Sequence, residues 1–399
     1  MEDKPTGNDR SSIGTILGAT AVGVTPTAVA LDPTTEHVFV VCSGETATGE
    51  KLPSSVVMLD ASTGQVHRTV EVGYDLHAIA IDSLARRVFI ADSGPWNEDG
   101  DPVEAGHILL LDPATGDLLG TSEVGIGPHS ITVDSGIGRV VVTNGISNSV
   151  CVLETLTGRV LWQVPVGYNP VQAAILPGNG QAVVLNRSNR STIVFLDLQA
   201  GSVLQIIQVG KVLSDITVDV VHGLIMAVDH DASRIYVIST DGELQGGLDV
   251  AAGPIRLVHD RISDRVFLLH RTLTKSGEDS GGVTVLGPSA RMGLRPILWT
   301  VPVEGFPNSL TVDERHGYVY ATSVRERAVS ILDVDADTAS SMVVKVVATP
   351  MAPRDVVVAP HAEFVFVICD EVRRDRVTMG TAIRLDAGPI RDAKVFPDM

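Results

Sequence analysis

Residues 127–167 read "GPHSITVDSGIGRVVVTNGISNSVCVLETLTGRVLWQVPVG", and the chain writes that unit repeatedly. A unit that recurs at a fixed period cannot bury its own apolar face, so it must stack on its copies. Related openings stand at 25–41 ("TPTAVALDPTTEHVFVV"), 74–92 ("YDLHAIAIDSLARRVFIAD"), 213–229, 253–270, 306–323 and 352–370. An eighth, at 169–186, is the least regular and carries Leu176-Pro177 where most others carry an acid. The openings close on Asp32, Asp82, Asp134, Leu176, Asp219, Asp260, Asp313 and Ala359, spaced 41 to 53 residues apart.

Each copy continues through a third strand and a turn, as in "VVMLDASTG", "ILLLDPATG" and "IVFLDLQAG", then through a fourth strand ending in "VEVG", "SEVG", "VPVG" or "IQVG". The strands are short, β-branched and alternating, and Gly, Pro and Asp punctuate them. No segment keeps a 3.6-residue apolar period. The expectation is an all-β chain, a single β-propeller of eight four-stranded blades, with seven blades as the alternative. Residues 1–12 read as a flexible N-terminal segment and 13–399 as the propeller domain. The piece "IGTILGATAVG" (13–23) reads as a lone fourth strand that closes the last blade, a place for which the tail "RDAKVFPDM" competes. Closure of this kind removes exposed sheet edges.

The pattern "xPxxIxVD…RVFVxD…VxVLDxxTGxxxxxVxVG", carried over residues 13–386, resembles the YVTN β-propeller repeat family, which is related to NHL-repeat propellers. The resemblance implies the fold. It leaves function open, because propellers host binding proteins, lyases, lactonases and redox subunits alike.

The repeat supplies an internal control. A residue present in every copy serves the blade, and one present in a single copy is free to serve a site. The strand-ending acids and the "LDxxTG" acids Asp60, Asp112, Asp197 and Asp333 therefore read as turn caps. Five positions before each strand-ending residue the copies differ: Thr27, His77, His129, Val171, Ser214, Ile255, Asn308, Arg354. The next position reads Ala28, Ala78, Ser130, Gln172, Asp215, Arg256, Ser309, Asp355. First strands begin at the mouth of the central channel, so these side chains should ring one mouth. Four long loops, 42–55, 92–106, 270–282 and 369–380, should rim the same face.

Several sites are conceivable there. His77 and His129 are catalytic candidates as general base, and with Asp215 they could hold a divalent metal in the channel. Gln172, Asp215, Arg256, Asn308, Arg354, Asp355 and the loop residue Trp96 are ligand-binding candidates. Arg256 and Arg354 could clamp a carboxylate or phosphate, or they could pair with Asp215 and Asp355 across the channel. The reading favoured is a binding or scaffold propeller that takes a small molecule or protein at its mouth. The alternative is an enzyme resembling propeller lyases and lactonases, with His77 or His129 as base or metal ligand. A third reading, a haem d1-type propeller, rests on the blade count.

Composition excludes some partners. With 30 Lys and Arg against 48 Asp and Glu, the net charge is −18. Such a surface repels phosphate backbones, so no nucleic acid is expected. No apolar run reaches the ~18 residues of a membrane span. The start "MEDKPTGNDRSS" has no signal-peptide core, which is compatible with a cytoplasmic protein or with one secreted after signal removal. The chain reads as an acidic monomer. Three cysteines, Cys42, Cys151 and Cys369, form neither a disulfide framework nor a CxxC site.

Overall fold

A computed structural model of the chain describes residues 11–44, 52–97, 104–273, 279–288, 295–303, 305–359, 363–370 and 379–390. Eight four-stranded antiparallel sheets make up the fold. Seven are built from consecutive strands. Blade three, for example, runs Pro128–Asp134, Arg139–Asn144, Ser149–Glu154 and Val160–Pro165. The eighth joins Ala352–Val358, Phe364–Asp370 and Met379–Asp386 to Ile16–Val24, the first strand of the chain. The N-terminal strand thus closes the ring, pairing Gly18 with Arg384 and Thr20 with Ala382. The competing tail, 391–399, lies outside the described residues, as do residues 1–10 and parts of the four long loops.

The apolar residues form a ring of seams in place of one central core. Second and third strands are sandwiched by neighbouring blades and read as nearly unbroken buried runs, as in "RVVVTN". Fourth strands face outward and alternate, as in "LLGTSE". Phe39, Phe89, Phe267, Tyr320 and Phe366 occupy equivalent second-strand positions and are fully buried. Each such ring contributes on the order of 2–3 kcal/mol relative to exposure. Cys42, Cys151 and Cys369 are free and buried. Burial pushes the Cys42 and Cys369 thiols up to about 12, so neither is a ready nucleophile.

The strand-ending acids cap their turns. Asp134 accepts from Gly136 N at 3.0 Å and Ile137 N at 3.3 Å, and Asp313 accepts from Arg315 N and His316 N. The residue before the second strand is left-handed in these turns. Gly138 and Gly317 take that conformation freely, whereas Glu36, Arg86 and Asp264 take it against their Cβ. Replacing Asp134 by Ala should cost about 1 kcal/mol, the usual value of a lost cap, without touching ligand binding. Urea denaturation beside a binding assay checks both halves.

The capping acids also carry a pH signature. Hydrogen bonds from Ser62 and Thr63 hold Asp60 down at about 2. Burial pushes Asp32 up, but bonds from Ser83, Thr35 and Thr34 outweigh it and the net direction is down. Folded-state values below the unfolded ~3.9 mean that this stability is present above about pH 4 and is lost as pH falls toward the folded values. The urea midpoint should therefore drop between about pH 6 and about pH 3. An unchanged midpoint would mean that the caps do not titrate with folding.

Candidate functional site

The first of the two variable positions is a β-bulge in every blade. Pro128 pairs with Asn144 and Ser130 with Thr143, leaving His129 as the extra residue. Thr27, His77, Val171, Ser214, Ile255, Asn308 and Arg354 are bulged in the same way. A bulge bends the strand and re-aims the side chain. Here it turns the residue from the blade faces toward the next blade.

That redirection gives the position a shared task. Thr27 Oγ1 donates to Leu76 O at 3.0 Å, Ser214 Oγ to Pro254 O at 3.1 Å, and Asn308 Nδ2 to Arg354 O at 2.7 Å. His129 Nδ1 bonds Val171 O at 2.8 Å, and His77 Nε2 bonds Pro128 O. Each bond crosses to a carbonyl at the start of the following blade. Val171 and Ile255 cannot donate. In those two blades an arginine sixteen residues later does so: Arg187 bonds Leu213 O at 3.1 Å and Ser214 O at 3.2 Å, and Arg271 bonds Pro307 O at 3.2 Å. All seven seams from blade one to blade eight carry such a clasp. The expectation that the blade needs nothing from this position is thereby corrected. The position needs a donor, and several side chains supply one.

The second position adds a layer of cross-blade bonds. Gln172 exchanges two bonds with the backbone of Ile216. Asp215 accepts from Leu257 N at 2.6 Å and Ile216 N at 3.0 Å. Arg256 Nη1 donates to Ser309 Oγ at 2.9 Å, and Ser309 Oγ donates to Asp355 Oδ1 at 2.7 Å. Arg256 therefore reaches Asp355 only through a hydroxyl, and no ion pair within 4 Å joins it to Asp215. Arg354 sits 3.6 Å from Asp370 of its own blade.

One cavity of about 540 Å³ opens at this mouth. It is lined from five consecutive blades, and His129, Gln172, Asp215, Arg256 and Asn308 are among its walls. Arg187 and Arg271 line it too. A single-copy reading overlooked both: Arg187 follows the end of its second strand, and Arg271 lies near the end of a longer one, Arg265–Leu273. Their signal was present: an arginine stands at that position only in the two copies whose bulge residue is apolar. His77 lies one blade beyond the lining, Arg354 and Asp355 one blade beyond on the other side. Trp96 lies elsewhere. It helps line a cavity of about 690 Å³ with Tyr74, Pro53 and Pro95, and its Nε1 donates to Asp75 Oδ2 at 2.9 Å. That larger cavity is mainly apolar and, among the described residues, holds one charged lining group, Glu71. Convergence of polar groups, and not size, marks the channel mouth as the candidate site.

His129 is the ring with spare capacity. Its Nδ1 is committed to Val171 O, which leaves Nε2 as a lone-pair acceptor in the neutral form. It is open to solvent at the mouth yet walled by protein. Burial, with lesser help from His77 and Arg187, pushes it below the ordinary histidine value. The neutral ring thus persists at pH 7 and below about 6.5. Any binding or turnover that uses Nε2 as acceptor should hold to lower pH than an ordinary histidine allows, and a pH titration with His129→Gln as control reads it.

The residues do not fit a metal at this mouth. Both nitrogens of His77 face carbonyl oxygens, Asp75 O at 3.1 Å and Pro128 O. The Asp215 oxygens are spent on backbone N–H groups, and burial, largest among its influences, pushes that carboxyl up. Among the described residues, the ligand-type cluster is instead Asp219, His259 and Asp264, at the opposite, short-turn face. Arg295 fills it, bonding Asp219 and, at 2.8 Å, Asp264 Oδ1.

The comparisons with known proteins agree on architecture. A family model described as outer membrane protein assembly factor BamB matches residues 104–272, less than half of the chain. No curated protein matches. Among solved structures, BamB from Moraxella catarrhalis superposes with a TM-score of 0.61 at 13% identity, covering 94% of this chain and 100% of that one. Dihydro-heme d1 dehydrogenase NirN in complex with DHE gives 0.65 at 11% identity, covering 97% and 82%. Kuenenia stuttgartiensis hydrazine synthase gives 0.56 at 16% identity, covering 89% and 96%. At these identities the likeness is one of fold. The matched family model is of the BamB type and not of the YVTN type read from the repeat. The chain is a β-propeller repeat protein with eight blades.

Proposed function

We propose that this propeller binds a small molecule in the cavity at the mouth of its central channel. The observation that supports the reading is the convergence of polar side chains from five blades on one concave site of about 540 Å³, within the ordinary size of small-molecule pockets. The rigid ring beneath it holds these groups through cross-blade bonds, which lowers the ordering cost of binding. Val212 lines the same cavity and is partly exposed, so Val212→Trp should fill it and leave the seams intact. A thermal-shift screen of small metabolites against the full chain should give hits that vanish in Val212→Trp and persist in Asp134→Ala at the far face. Hits indifferent to Val212→Trp would sink the reading.

His129 favours a second reading, a lyase- or lactonase-like enzyme. A neutral imidazole with Nδ1 fixed and Nε2 facing the cavity is arranged as a general base. The chemistry that supports it is proton abstraction by Nε2, with the nearby guanidinium groups positioned to hold developing negative charge. Loss of turnover in His129→Gln with retained ligand binding would support this reading. The haem d1 reading draws only on fold likeness, and an absorption spectrum of the purified protein tests it.

A further inference from the structure

The mouth cavity has a sign. Among the described residues, the guanidinium groups of Arg187, Arg256 and Arg271 line it with one carboxylate, Asp215. That carboxylate is buried, and its charge is disfavoured there, Arg256 and the Leu257 N–H working against the shift. A net positive hollow in a chain of net charge −18 runs against the background, so general surface composition does not account for it.

The cations are also held in place. Arg187 is anchored through Nε and Nη2 to two carbonyls, which leaves Nη1 uncommitted. Arg256 spends only Nη1, on Ser309. Arg271 is anchored to Pro307 O and lies over the Phe306 ring, 3.9 Å from its centroid. Neither Arg187 nor Arg256 has a carboxylate within 4 Å among the described residues. Burial, only partly offset by Asp215, disfavours the charged form of Arg187, so an incoming anion would relieve an existing cost. The forks of Arg187 and Arg256, with uncommitted N–H groups and fixed before the ligand arrives, suit the oxygens of a carboxylate or phosphate.

We propose that the mouth cavity is an oxyanion site. It takes a small carboxylate- or phosphate-bearing molecule whose anionic end sits among Arg187, Arg256 and Arg271, while His129 Nε2 accepts a hydrogen bond from a hydroxyl or amine elsewhere on the molecule. The proposal rests on the reading of this cavity as the ligand site and adds the ligand's chemical class.

Arg256 is the residue to test, because it is exposed and its loss breaks one hydroxyl contact, whereas Arg187 also clasps a seam. Calorimetric titration of the full chain uses three probes: citrate, inorganic phosphate and a library of neutral polyols and amides. Citrate or phosphate should bind one to one, weaken as salt is raised, and lose about tenfold or more in affinity in Arg256→Gln. Arg256→Lys should recover part of the loss, and the melting temperature of the unliganded variants should match the parent. Which of the two anions binds identifies the class. Neutral probes that bind, are lost in Val212→Trp and ignore Arg256→Gln, with no anion bound, would overturn the oxyanion assignment and leave the cavity reading standing. Anions that bind equally well to Arg256→Gln would overturn it as well. If no probe of any class binds at millimolar concentration, the oxyanion assignment and the cavity reading fall together.

Discussion

Replacing Arg295 by alanine should destabilise the chain by about 3–5 kcal/mol, the cost of breaking a buried ion pair from one side. Arg295 is 4% exposed, and its guanidinium bonds Asp219, Asp264 Oδ1, Asp264 O and Gly287 O. Asp219 belongs to blade five and Asp264 to blade six, so the arginine ties two blades at the face opposite the mouth. Without it, Asp219 stays buried with its remaining bonds from Val221 N, His222 N and the His222 ring, but with no guanidinium to balance its charge. Burial pushes Asp219 up, while Arg295 and His222 pull it further down. Removing Arg295 should therefore also move the acid transition to higher pH. The double variant Arg295→Met with Asp219→Asn should regain much of the loss, because both charges then leave together. Urea denaturation of the three proteins measures it. A single-variant loss below about 1 kcal/mol would place the network among weak surface pairs.

Deleting residues 1–24 should be still more disruptive. It removes the strand Ile16–Val24 from the last blade and bares the edge of Met379–Asp386. It also removes Ile13 and Val22, which are 1% and 2% exposed, and with them the bond from Lys345 Nζ to Ile13 O. Two apolar side chains at about 2–3 kcal/mol each, with the ladder bonds, put the loss at roughly 5 kcal/mol or more. The bare edge should promote self-association. Size exclusion should show larger species than the parent, and a peptide of residues 11–24 supplied in trans should restore the parent's elution. A truncated chain that melts like the parent would mean that the strand does not close the ring.

Much of the candidate site was legible because the chain repeats. Asking which residues vary at a constant position singled out His129, Gln172, Asp215, Arg256 and Asn308, and these line one cavity. The same comparison separated the turn-capping acids from them. It passed over Arg187 and Arg271, because their role appears only when two positions sixteen residues apart are read together. It also named His77 and Asn308 as site candidates without showing that both are already engaged in the structure of the ring. Asn308 accepts from Thr322 Oγ1 while donating to Arg354 O, and His77 has a carbonyl at each nitrogen.

By itself, the sequence determined the all-β class and pointed to eight blades and an N-terminal closing strand, while the structure decided these against seven blades and the C-terminal tail. Those expectations follow from local alternation, turn chemistry and a period, all of which are properties of neighbours in the chain. The tertiary structure alone decided what the variable residues do. A β-bulge at the start of each first strand breaks the alternation that sequence reading relies on and turns the side chain out of its own sheet. Its partner is then a backbone carbonyl some forty to fifty residues away in the next blade. Every residue offers such a carbonyl and none is marked in sequence. Only the ring's closure selects one, and with it which of His129, Arg187 and Arg256 keep donor or acceptor capacity for a ligand.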